Sequence, residues 1–255
     1  MKLCRFELIS EPGSVHSGFL HDNKVYETDG AQPTAVHDWT DLVPLTPVGR
    51  PPSVRLFELG DDEVGFSGMD VPFTPFRYLN PSSLIAPSRE LTKPTTTDAL
   101  GILPCLAAVV ASTGLAVEPE EAEEMILGYT LANCFVARDR LPHASAYDVA
   151  VACGPFLTTP DELAESSSPG AQGPILELRG TVRVNSEIVG EIDLSHLPAS
   201  LATLCSQASQ SSPLAEGDLV LLGPLWAPES PLSLEPFDEV HLFVDRLGTL
   251  ATRIV

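Results

Sequence analysis

The residues of this chain best equipped for chemistry are scattered. Five cysteines, Cys4, Cys105, Cys134, Cys153 and Cys205, are odd in number and far apart, with no C-x-x-C pair of the kind that makes zinc or redox sites. That spacing reads as reduced, mostly buried thiols. Of the histidines, His16, His21, His37, His196 and His241 fall in expected turns or strand ends without metal-ligand spacing. His143 stands in a Pro-His-Ala loop and reads as a solvated side chain. The acidic run Asp61-Asp62-Glu63 and the cluster Glu118, Glu120, Glu121, Glu123 and Glu124 offer oxygen donors. The second lies on an expected helix, so it reads as a solvated face in favourable contact with the helix dipole.

The elements that position these groups are mostly strands. Phe19-Leu20 and Val25-Tyr26 flank the polar step around Asp22 and Asn23, a hairpin signature. Residues 31–75 are rich in Pro, Gly and acidic residues and read as a loop-rich connection. Beyond them, the apolar run 100–110 reads as a buried strand despite Pro104. Residues 117–127 read as a helix, with Pro119 in its first turn and an end at Gly128. A strand follows into Ala137-Arg138-Asp139. Residues 175–194 alternate apolar and polar side chains around turns expected at Arg179-Gly180 and Asn185-Ser186. Pro198 opens a short helix, the Ser-rich stretch 165–174 reads as a flexible loop, and the C-terminal third returns to alternation. Tyr129 and Trp226 either line a pocket or pack in the body.

A chain of 255 residues with 44 % apolar content is globular and long enough for one main domain with an appendage. Its net charge of −21 disfavours nucleic acid and anionic membranes, because phosphates attract Lys and Arg and repel carboxylates. No apolar run reaches the roughly 20 residues of a membrane helix. The opening MKLCRFELIS lacks the apolar core of a secretory leader, so a cytoplasmic location is expected.

In order along the chain, NPSSLIAP (80–87), GYTLANCFVARD (128–139), ACGPFLTTPDEL (152–163), EGDLVLLG (216–223) and the terminal RLGTLATRIV resemble successive landmarks of the fumarylacetoacetate hydrolase superfamily. The opening MKLCRFEL…GFLHDNKVYE is similar to the small N-terminal domain that many members carry. The resemblance implies an α+β, mostly β protein with a mixed β-roll body at residues 75–255, a small N-terminal domain and linker at 1–74, and a homodimer. It also implies magnesium or manganese, which prefer oxygen ligands, orienting a dicarbonyl compound or 2-oxo acid while the ion stabilises an enolate.

Set against that resemblance, the ion-binding residue types are missing. The family's Glu-x-Glu pair falls on Leu103 and Cys105, and its Asn-Asp step on Asn133-Cys134. The family lysine falls on Ser145, and the His–Glu pair that activates water falls in 57–70, which contains no histidine. Leu103, Cys105, Cys134, Ser145, Arg138 and Asp139 are therefore the candidate pocket residues, with no metal expected. Two readings of the cysteines stay open: apolar filling of a vacated ionic site, or a soft-metal pair at Cys105 and Cys134 that would take zinc. The functional expectation is a hydrolase-like relative without metal-dependent activity that binds a ligand or serves structurally. The alternative is an active enzyme working by a metal-free, thiol-dependent or displaced-metal route.

Overall fold

The computed structural model describes residues 1–30, 32–59, 76–170, 173–228 and 232–255. Strands β1 (Lys2–Leu8), β2 (Glu11–His21), β3 (Lys24–Thr28) and β4 (Pro33–Asp38) form an antiparallel run. Between β2 and β3, Asp22 and Asn23 hold φ at 47° and 61°. Positive φ at both central residues is what a two-residue type I′ turn requires, so the hairpin forms where the sequence places it.

Strands β5 (Val54–Glu58) and β6 (Phe76–Leu79) follow, then β7 (Leu100–Val110), β8 (Ile126–Ala137) and β9 (Ala150–Thr158). The remainder contributes β10 (Arg179–Val184), β11 (Glu187–Asp193), β12 (Leu219–Gly223), β13 (Glu239–Val244) and β14 (Gly248–Ile254). The large sheet runs β4-β3-β2-β1-β9-β8-β7-β12-β5-β6, and a second sheet runs β11-β10-β13-β14 and ends on the short strand Glu90–Leu91. The fold is mostly β with mixed sheets. The N-terminal strands join the large sheet through β1, which pairs Lys2 with Thr158 and Leu3 with Leu157.

Residues 31–75 carry more structure than their composition suggests. They hold β4, the short strand Leu42–Pro44 on β1, and β5, which runs parallel to β12 with Leu56 beside Leu221. The pairings of Leu42–Pro44 and β5 are with distant parts of the chain, so local turn residues do not announce them, whereas β4 pairs with its neighbour β3.

Among the described residues the helices are α1 (Pro119–Glu124), α2 (Pro160–Leu163) and α3 (Leu201–Ser211), besides short 3-10 turns. Ser200 caps α3 by accepting the Thr203 N–H at 3.1 Å. Helix α1 ends at Glu124, and Gly128 lies inside β8 rather than at a helix end. A Cβ at Gly128 would stand 2.7 Å from the Thr158 carbonyl oxygen, so this glycine permits close strand approach instead of a turn. Arg179 and Gly180 likewise sit in β10, not in a turn, with Gly180 pressed against the backbone of Phe243. The turn expected at Asn185-Ser186 is present, with Asn185 at φ 56°. In the Ser-rich stretch, Ser167 and Ser168 pair with Leu176 and Ile175. No helix among the described residues is long and apolar enough to cross a membrane.

Both faces of the central strands are buried, and alternation divides them. On one face Leu106, Leu131 and Phe135 join a core closed by the second sheet and α3. On the other, Cys105, Ala132, Cys134 and Val136 join a separate apolar cluster with Val54, Leu56 and Leu79.

Candidate functional site

Leu103 and Cys105 are two residues apart on β7 and point to the same face. Leu103 stands opposite Cys134 on β8, while Cys105 stands opposite Ala132, which makes Cys105 and Cys134 diagonal neighbours. Cys153 on β9 also pairs with Ala132. The three cysteines have no solvent exposure and pack with Val54, Leu56, Val136, Val151 and Leu221, with Leu103 against the edge of the cluster. The fold thus brings Leu103, Cys105 and Cys134 together, but as a continuous apolar core.

The electrostatics follow from that packing. The Cys105 thiol donates to the Leu103 carbonyl at 3.3 Å. Its contact with the Cys134 thiol, then burial, pushes its pKa well above the usual thiol value. Burial pushes Cys153 up to about 12. Cys105 and Cys153 therefore stay protonated near neutral pH, which disfavours nucleophilic attack and metal ligation by either. Leucine offers no donor atom, and magnesium and manganese favour oxygen, so the residues at 103, 105 and 134 do not fit a hard cation. Among the described residues no group of three or more His, Cys, Asp or Glu side chains could hold an ion, so zinc at Cys105 and Cys134 would lack a third ligand of these types there.

The other candidates do different work. Arg138 and Asp139 begin the 3-10 turn Arg138–Arg140, where the Arg138 stem packs across Gly101. Asp139 Oδ1 accepts the Thr97 hydroxyl at 2.5 Å and Oδ2 accepts the Asp98 N–H at 3.3 Å. The Thr97 bond chiefly holds this exposed carboxyl below the usual range, so Asp139 ties down the preceding bend. Ser145 is exposed on the turn Ala144–Tyr147, and His143 is exposed beside it.

A polar trio that sequence reasoning missed borders the thiol cluster. Tyr147 donates its hydroxyl to Glu58 Oε1 at 2.5 Å. Arg77 donates from Nε and Nη2 to Glu58 Oε2 at 3.1 and 2.9 Å, and its guanidinium lies 4.1 Å from the centre of the Tyr147 ring. Burial, then the Glu58 contact, pushes the Tyr147 hydroxyl up to about 12. Glu58 also raises the Cys105 thiol, which places its charge near the cluster. Both Glu58 oxygens are engaged, so this carboxylate is not a spare ion ligand. Its position falls inside the 57–70 stretch considered for acid–base residues, but three separate chain segments make the trio. Asp61, Asp62 and Glu63 lie outside the described residues.

The strand order defines a mostly β body with mixed sheets. Residues 57–255 match the family described as fumarylacetoacetate (FAA) hydrolase C-terminal, and the chain belongs to that family. The human mitochondrial oxaloacetate tautomerase FAHD2B is 24 % identical over 234 residues, covering 85 % of this chain and 71 % of that protein. A 5-carboxymethyl-2-hydroxymuconate delta-isomerase from Mycobacterium smegmatis superposes with a TM-score of 0.81 at 22 % identity, covering 100 % of this chain and 98 % of the other. A maleylpyruvate hydrolase from Sphingobium sp. SYK-6, in complex with manganese(II) and pyruvate, gives a TM-score of 0.77 at 18 % identity and covers 100 % of this chain and 99 % of its own. At these identities the structural likeness establishes the fold.

The thiols supply a prediction. All five are free and buried, so a bulky disulfide reagent near neutral pH should label none in the native protein and all five after unfolding in denaturant. Burial raises Cys4, Cys153 and Cys205 to about 12. A folded state that keeps its protons longer than the unfolded chain loses stability as pH rises, so stability should fall from about pH 9 upward, as urea unfolding at stepped pH would show. Rapid native labelling of Cys105 or Cys134 would contradict the packing.

Proposed function

We propose that this chain is a fumarylacetoacetate hydrolase-like protein that has lost metal-dependent cleavage or hydration of dicarbonyl compounds and 2-oxo acids, and that acts as a binding or structural relative. The observation that carries the reading is the occupation of the 103/105/134 position by Cys105 and Cys134 inside an apolar cluster, with the half-buried Leu103 packed against its edge. A bare carboxylate cluster is costly to bury without its cation, so replacing all three donors removes that cost along with the chemistry. A thiol-dependent route at Cys105 or Cys153 gains no support, because both are held protonated.

The same reading carries forward no resident magnesium or manganese, a small dicarbonyl or 2-oxo acid as the ligand class, a homodimer, a cytoplasmic location, and a body domain at 75–255 preceded by a smaller N-terminal one. Turnover tests it. Oxaloacetate tautomerisation and maleylpyruvate hydrolysis, followed by absorbance with saturating manganese, should run no faster than in buffer with manganese alone. Turnover that rises with protein concentration and saturates with manganese would overturn the proposal.

A further inference from the structure

A cavity lies on the opposite face of β8 from the thiol cluster. A space of about 630 Å³ opens beside α1 and α2, and a smaller one of about 180 Å³, walled by Leu106, Leu194 and Leu201, shares Tyr129 and Leu176 with it. That size falls within the range of small-molecule sites, roughly 300–1,000 Å³. Pro119, Leu163 and Leu176 give the larger space apolar walls.

Tyr129 supplies the observation that points to a ligand. Its side chain is only 5 % exposed and borders both spaces; its hydroxyl makes no hydrogen bond among the described residues and is not one of the fully buried unpartnered atoms, so what accessibility it keeps is toward the space it lines. A buried phenol ordinarily finds a partner. Burial raises its pKa, so it remains a neutral donor. At the rim stand the exposed carboxylates Glu120 and Glu123; among the described residues they form no ion pair and no Lys, Arg or His lines either space. A carboxylate ligand would meet like charge there without a compensating cation, so the 2-oxo acids of the family are the wrong sign for this cavity.

We infer that this cavity is a second ligand site, for a small amphipathic amine whose apolar body enters between Leu163 and Leu176, whose ammonium meets Glu120 and Glu123, and whose hydrogen-bond acceptor meets the Tyr129 hydroxyl. Tyramine and 3-(4-hydroxyphenyl)propionate are matched probes of opposite charge, titrated by calorimetry into the full chain. Tyramine should bind saturably, with the acid roughly tenfold weaker or worse. Tyr129→Phe and the double variant Glu120→Gln, Glu123→Gln should each weaken tyramine roughly threefold or more. Ala164→Trp should abolish binding by filling the space, and Ser168→Trp provides the same test if the first variant melts abnormally. Absence of saturable tyramine binding, equal binding of both probes, or unchanged binding in the filled variants would overturn the inference.

Discussion

Placing a glutamate at Cys105 should cost the protein about 3 kcal/mol or more, a large share of a typical domain's stability, because a lone carboxylate would be buried without a partner. Cys105 has no exposure, and a Cβ added at Gly223 would already stand 2.5 Å from its sulfur. The larger, charged side chain therefore meets both steric and desolvation costs. Cys105→Ala removes one sulfur from a packed core and should cost no more than roughly 1–2 kcal/mol. The triple variant Leu103→Glu, Cys105→Glu, Cys134→Asp restores the carboxylates the family pattern carries. Its melting temperature should rise when manganese is added, by mass action on the folded state, while that of the natural chain should not. Thermal scans of the four proteins, with and without manganese, separate these outcomes. A Cys105→Glu variant as stable as its parent would mean that the position opens onto solvent or a cation.

The second large effect lies in the ion pair between Arg55 and Asp218. Their side chains are 3 % and 1 % exposed and meet at 3.2 Å. Arg55 also donates to the carbonyls of Pro213, Ala208 and Ser212, and Asp218 accepts the Ala215 N–H at 2.8 Å. Because β5 carries Arg55 and Asp218 immediately precedes β12, the pair fastens the parallel contact between two distant chain segments. Asp218→Ala leaves the guanidinium buried without its counter-charge, and about 3–5 kcal/mol of stability should be lost in denaturant unfolding. Asp218→Asn keeps an acceptor for Ala215 and should lose less. A loss below about 1 kcal/mol for the alanine variant would show that the carbonyl oxygens alone satisfy Arg55.

These pairings mark where the sequence is legible and where it is not. The Asp22-Asn23 hairpin is written locally, in two residues that tolerate positive φ. The 100–110 strand is written in its apolar run, and Pro104 is tolerated because it precedes the stretch Leu106–Val109 that pairs with β12. By contrast, β5 forms because β12 lies beside it some 160 residues later, a contact no local pattern encodes. Gly128 misleads for a related reason, since its small size serves a neighbouring strand instead of ending a helix.

At the candidate site, Leu103, Cys105 and Cys134 converge through strand alternation and the β7–β8 register, and their chemistry is visible in residue type alone. Glu58, Arg77 and Tyr147 converge only through tertiary pairing, so their meeting is invisible in the linear chain. Ser145 shows the opposite difficulty: the family pattern marks it as a pocket residue, whereas its turn leaves it facing solvent.

The most direct test of the vacated metal position is calorimetric titration of the native chain with magnesium and manganese, after metal analysis of protein purified without tags or added ions. No stoichiometric ion and no binding heat are expected. One tightly held magnesium or manganese per chain would contradict the filled-site reading, and bound zinc would return Cys105 and Cys134 to the role of ligands.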